Sequence, residues 1–249
     1  MRHADKIINS IADLIAKLDA HKQENEMLWY RGQADKSWDL MPSISRDKDN
    51  PVEFEWATLK RFRQNAVRFI TNKPDSDWEW LFLMQHYGVP TRLLDWSESP
   101  LVSLYFAVSE KKHNDVDASL WVLSPVPFNM NSGFSSNINN DLPCCEMDSE
   151  LDSYLTKNAL QSPAPSKPVA AIASRNSSRI AAQLGVFTIF HSEFTPINNL
   201  FDQKHCWRYI IPAAQKESIR KELETLHITK LTLFPELSNA GLFAKEVLS

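Results

Sequence analysis

The sequence predicts an α+β fold: a single domain with a small mixed sheet flanked by helices. Three observations lead there. Strand-like runs such as "EMLWYRGQ" and "SLWVLSP" stand between amphipathic helical runs, without the regular alternation of a doubly wound parallel sheet. The 249 residues, 43% hydrophobic and 23% charged, suffice for one sizeable core. No internal repeat divides the chain.

The elements follow in order. Residues 5–22 place Ile7, Ile8, Ile11, Leu14, Ile15 and Leu18 at helical spacing, so residues 1–25 are read as an N-terminal packing helix. Residues 26–33 form a short strand ending at Gly32, and "DLMPSISR" turns at Pro42-Ser43. Residues 51–70 begin with Pro and repeat Phe54, Leu59, Phe62, Ala66 and Phe69, hence a helix. The next runs from Asp77 to Gly88, with a start signal and a stop signal at its ends. Ser99-Pro100 supplies an N-cap and an N1 proline for a helix through about Lys111, and residues 119–125 form a strand. From 126 to 168 the chain turns rich in Ser, Asn and Pro, the composition of a long loop or insertion. Beyond it, 170–174, 179–192 and 206–212 resume the compact pattern. Residues 213–226 are an amphipathic helix, 228–234 ("ITKLTLF") a strand, and 240–248 a last helix.

Composition excludes several classes. Net charge is −4 and the pI near 6.0, so there is no global electrostatic case for nucleic acid or anionic lipid. No apolar run approaches the ~20 residues of a membrane span, and the acid-bearing N-terminal stretch does not read as a signal peptide. Three cysteines, Cys144, Cys145 and Cys206, show neither a disulfide framework nor metal-ligand spacing, so a reduced cytoplasmic setting and no metal are expected. Phosphate-loop, HExxH, GxSxG and CxxC motifs are all missing from the sequence. The five glycines mark candidate corners of the fold.

The stretches "WYRGQ", "LMPSISR", "QHYGVPTRLLDWSESPLVSLYFA", "RIAAQLGVFTIFHS" and "LFPEL" resemble the FRG domain family, which is named for a Phe/Tyr-Arg-Gly motif, here Tyr30-Arg31-Gly32. The likeness spans about residues 27–245 apart from 126–168. A second, weaker likeness is to ADP-ribosyltransferases. In those enzymes a first strand ends in aromatic-Arg-Gly whose Arg holds NAD, a second carries a Ser/Thr-rich motif, and a third strand follows a catalytic Glu or Gln. Arg31 matches the first position, Ser97 loosely the second and Gln183 loosely the third. No Glu stands at that third place, which leaves Glu-dependent stabilisation of a ribosyl cation without its residue. The likeness implies NAD as cofactor, NAD cleavage or ADP-ribosyl transfer as the activity, and a bacterial toxin or phage-defence setting.

The residues themselves read as follows. Arg31 at a strand end suits a phosphate or carboxylate, or else pairs with a core Asp such as Asp95. Gly32 permits close approach of a ligand or a neighbouring backbone. Arg92 and Asp95 share a face if helical and part company if extended, and a buried unpaired charge costs about 3–5 kcal/mol. A cluster of Arg31, Arg92 and Asp95 would be net positive and suited to an anion. His86, beside Gln85, is a proton carrier or merely a dipole partner at a helix end. Trp96 would stack on a ring or sit in the core, Ser97 would contact ligand or cap a helix, and Tyr105 and Phe106 are placed in the core. Arg179 and Gln183, four apart, face one way on a helix, Gln183 orienting a sugar hydroxyl or satisfying backbone.

The expected site is therefore Arg31, Asp95, Gln183 and His86 as catalytic groups, with Tyr30, Gly32, Gln85, Thr91, Arg92, Trp96, Ser97 and Arg179 holding NAD. The expected partner is a nucleotide or other anionic small molecule, with a protein target also possible and no membrane. A nucleotide-binding module without turnover, and a structural domain that binds through residues 126–168, stand beside the enzyme reading.

Overall fold

In the computed structural model, which describes residues 4–21, 26–46, 49–134, 141–175 and 177–246, one seven-stranded sheet organises the chain. β1 (Lys6–Ile7) precedes α1 (Ile11–Asp19), whose N-cap Ser10 accepts the Asp13 amide. The helix expected from residue 5 thus starts later, because Lys6 and Ile7 pair with the last strand. β2 is Trp29–Gln33, followed by a 3₁₀ turn at Ser43–Ser45, α2 (Pro51–Ala66) and α3 (Asp77–His86). Ser76 rather than Asp77 caps α3, its hydroxyl accepting the Glu79 amide. β3 (Leu93–Ser97) leads into α4 (Pro100–Val108), with Ser99 and Pro100 in the expected capping roles. β4 is Ala118–Leu123.

The segment expected to be a long loop holds α5 (Pro125–Ser132), a 3₁₀ stretch (Ser149–Tyr154) and α6 (Thr156–Gln161). Its residues 135–140 lie outside the described residues. Polar composition misleads here because the polar side chains are internal partners. Asn129 bonds both Ala170 N and Ala170 O of β5 (Val169–Ala171), filling that edge strand's free backbone groups. α7 (Ser178–Gln183), β6 (Gly185–Ile189), β7 (Cys206–Ile211) and α8 (Lys216–Thr225) follow. The run 228–234, expected as a strand, is instead α9 (Lys230–Leu233), started by a Thr229/Thr232 capping box. α10 is Leu237–Glu246. Among the described residues no helix is long and apolar enough to cross a membrane.

The strand order is β1-β7-β4-β2-β3-β6-β5, antiparallel throughout except for β1 beside β7. The sheet is mixed, as expected. One core lies where α1, α4 and α8 cover it, around Leu14, Tyr30, Leu104 and Ile219. A second gathers Trp29, Trp96, Trp121 and Phe128, and a third packs α2 and α3 around Trp80, Leu93 and Phe187.

One irregularity positions the site. β2 and β4 pair over five residues, whereas β2 and β3 pair only at Tyr30–Ser97. Beyond that point the two central strands separate, leaving backbone groups without ladder partners in the middle of the sheet.

Candidate functional site

The opening between β2 and β3 is the floor of a cleft of about 640 Å³, walled by α3, α4 and α7, within the size range of small-ligand sites. Arg31 lies at the parting. With the ladder interrupted, the carbonyl of Asp95 lacks a strand partner, and Arg31 Nη1 donates to it at 2.6 Å. Arg31 Nε is closed to water and bonds nothing. Burial lowers the pKa of this guanidinium, the Asp95 charge opposes that, and Arg46 lowers it further. Arg46 also lines the cleft, with its guanidinium 6.0 Å from the Trp38 ring. Two guanidinium groups repelling each other at one end of a cleft make a natural seat for an anion.

Gly32 is required by close packing of backbone on backbone. A Cβ there would stand 1.8 Å from Ser103 O and 2.6 Å from Ala107 N, so α4 lies directly against β2. Of the two approaches left open by the sequence, the neighbouring backbone is the one made.

The polar groups in "QHYGVPTRLLDWSES" form a relay. Thr91 Oγ1 donates to Gln85 Oε1 at 2.6 Å, and Gln85 Nε2 donates to Asp95 Oδ1 at 2.5 Å. Both ends of the Gln85 amide are engaged, which fixes its flip and holds the exposed Asp95 carboxylate over the cleft. Thr91 is buried behind Gln85 and acts only through it.

Arg92 is not part of this site. It is 1% exposed and sealed: Nε meets Glu55 Oε2 at 2.7 Å, while Nη1 and Nη2 serve the carbonyls of Phe190, His191 and Tyr154. Glu55 also accepts Arg92 N and Thr156 Oγ1. The expected cluster of Arg31, Arg92 and Asp95 therefore does not form. The chain is extended here, so residues three apart point different ways. The expected net positive cavity is corrected as well. Arg31, Arg46, Lys73 and Arg179 face it, but so do Asp75, Glu79, Asp95 and Glu110, so the lining carries both signs.

The remaining expected residues sort by environment. Tyr30 reaches the wall but its ring is in the core, burial pushing its hydroxyl pKa up to about 12. Trp96 also touches the wall, yet it is 3% exposed with Nε1 bonded to Thr188 Oγ1, so its ring is not free to stack. Ser97 Oγ donates to Gln183 O at 2.7 Å and accepts Ser99 N, joining β3 to the end of α7. Tyr105, expected in the core, is half-buried and packs against it from the edge, and Phe106, expected there too, lines the cleft.

His86, Arg179 and Gln183 meet at the other end. Gln183 Nε2 donates to Leu233 O, and Arg179 Nη1 donates to His86 O. The backbone that Gln183 satisfies is thus that of Leu233, not of the strand that follows it. Burial lowers the His86 pKa, Arg179 adds to this and Glu236 opposes it, so the imidazole is neutral at pH 7. Arg46, which lines the cleft, and Glu236, which backs its lining residues His86 and Arg179, were not expected. Both stand in stretches that carried the family likeness, "LFPEL" and "LMPSISR", and that was the signal available for them.

Residues 26–116 match the family model of the FRG domain. Over that stretch the chain is similar to the FRG domain. No curated protein and no solved structure matches it. The FRG match takes in β2, α2, α3, β3 and α4, and with them Arg31, Gln85, His86, Asp95 and Ser97. Arg179 and Gln183 close the same cleft from beyond the matched FRG residues, and Glu236 stands behind the lining, against His86 and Arg179.

Proposed function

We propose that the cleft binds NAD and cleaves its nicotinamide–ribose bond, transferring the ADP-ribose to water or to an acceptor. One observation carries this reading. Arg31 on β2, Ser97 on β3 and Gln183, the last residue of α7 just ahead of β6, line one cavity, and β2, β3 and β6 are neighbours in the sheet. The ADP-ribosyltransferase likeness asks for an Arg at the end of a first strand, a Ser/Thr-rich motif on a second and a Glu or Gln ahead of a third. Arg31 and Arg46 would hold the pyrophosphate, Arg46 taking the place first expected of Arg92. Of the cleft carboxylates, Asp95, beside Arg31 on the floor, is the one assigned to steady a ribosyl cation, since Gln183 is an amide without charge. An NAD-consuming activity harms the cell that contains it, in keeping with a toxin or phage-defence role. Three free cysteines are in keeping with a cytoplasmic setting.

A specific feature favours a second reading, nucleotide binding without turnover: the third motif position is Gln183 and not a carboxylate. Incubation with NAD, followed by chromatography for nicotinamide and calorimetry for binding, separates the two. Nicotinamide release that Arg31→Ala abolishes supports the enzyme. Binding without release supports the module, and neither binding nor release removes both.

A further inference from the structure

The candidate site is braced from behind its lining by a segment far outside the FRG match. Leu233 O anchors the Gln183 amide, Phe234 lies 4.7 Å beneath the Arg179 guanidinium and packs edge-on against Phe106, and Glu236 faces His86. Glu236 Oε2 is fixed by Asn239 Nδ2 at 2.7 Å in the first turn of α10. Its other oxygen is unusual. Oε1 is closed to water and has no hydrogen-bond donor, standing 3.7 Å from His86 Nε2 and 3.9 Å from Arg179 Nη1. A buried carboxylate oxygen left without a donor is costly and needs a reason. Catalytic hydrogen bonds are often long in the empty site and tighten on ligand binding, which supplies one.

We propose that Glu236 is a positioning residue of the site: it fixes Nε2 of His86 toward itself, so that Nδ1 accepts the proton of the incoming nucleophile. The proposal rests on the NAD reading above. The step balances as follows. The C–N bond from ribose to nicotinamide breaks, its electron pair neutralising the ring nitrogen. The anomeric carbon bonds to the oxygen of water or of an acceptor hydroxyl, and that oxygen's proton passes to His86 Nδ1. A carboxylate on the far nitrogen holds the tautomer and steadies the imidazolium that forms. The groups that face the ring are Glu236 from the C-terminal segment, Arg179 from α7, and Tyr87, whose ring is 4.9 Å away.

The test is kinetic and uses the full chain, comparing the native protein with Glu236→Gln and Glu236→Asp. Glu236→Gln should retain NAD affinity while kcat falls about 10- to 100-fold, less than removing the base itself. Because the Glu236 charge raises the His86 pKa, the acidic limb of the kcat/KM profile should move to lower pH in Glu236→Gln. Glu236→Asp should recover part of the rate. Full kcat with an unmoved acidic limb in Glu236→Gln overturns the role while leaving the NAD reading standing. Native protein that neither binds NAD nor releases nicotinamide removes that reading, and the base role with it.

Discussion

Arg92 and Asp95 stand three residues apart in one extended segment and never meet. Arg92 is locked to Glu55 inside the protein, and Asp95 opens onto the cleft under the hold of Gln85. A single polar cluster in the sequence thus serves two ends, an internal clamp and a site.

The clamp predicts a large stability effect with a defined cause. Arg92→Ala leaves the Glu55 carboxylate buried with no cation and frees the carbonyls of Phe190, His191 and Tyr154. Urea denaturation should show a loss of about 3–5 kcal/mol. Asp95→Asn, at an exposed carboxylate, should change stability by less than about 1 kcal/mol.

Gly32→Ala should be disruptive without touching any ligand. Its Cβ would collide with the Ser103 carbonyl, a backbone atom that cannot rotate away. Either α4 is displaced or the strand bends, and a loss of about 1–3 kcal/mol or more is expected, read as a lowered melting temperature.

Arg31→Lys should not substitute for Arg31. Nη1 is committed to the Asp95 carbonyl and Nη2 remains for an anion, a division that one ammonium cannot make. Calorimetry should show NAD affinity reduced at least about tenfold, one interaction's worth or more, with little change in melting temperature.

Acid should destabilise the protein through two buried histidines. Burial lowers the pKa of His191, with Arg92 adding to the effect, and burial likewise lowers that of His205. Folded-state values below 6.5 mean that the unfolded chain binds more protons in this window. Their stabilising contribution is present above about pH 6.5 and lost as the pH falls from there through the lowered folded values. Melting temperature should therefore drop between pH 7.5 and 5.5, and His205→Gln should flatten that slope.

Much of the architecture was legible because the signals are local. Ser99-Pro100 starts α4, Gly88 follows α3, and "WYRGQ" is strand β2. Misreadings arose where a partner decides. "ITKLTLF" alternates apolar and polar residues like a strand, but the Thr229–Thr232 cap and packing against α7 make it helical. Residues 126–168 look like a loop until Asn129 and Thr156 are seen bonded to the core. Glu55, 37 residues from Arg92, gave no hint of its role because nothing in α2 distinguishes a buried glutamate from its exposed neighbours. The parting of β2 from β3, which creates the cleft, has no local sequence mark at all.

Calorimetric titration of NAD into the native protein and into Arg31→Ala tests the central claim most directly. A single binding site in the native protein, lost in the variant while its melting temperature holds, is the result predicted. No heat of binding in the native protein, or equal affinity in the two, would contradict it.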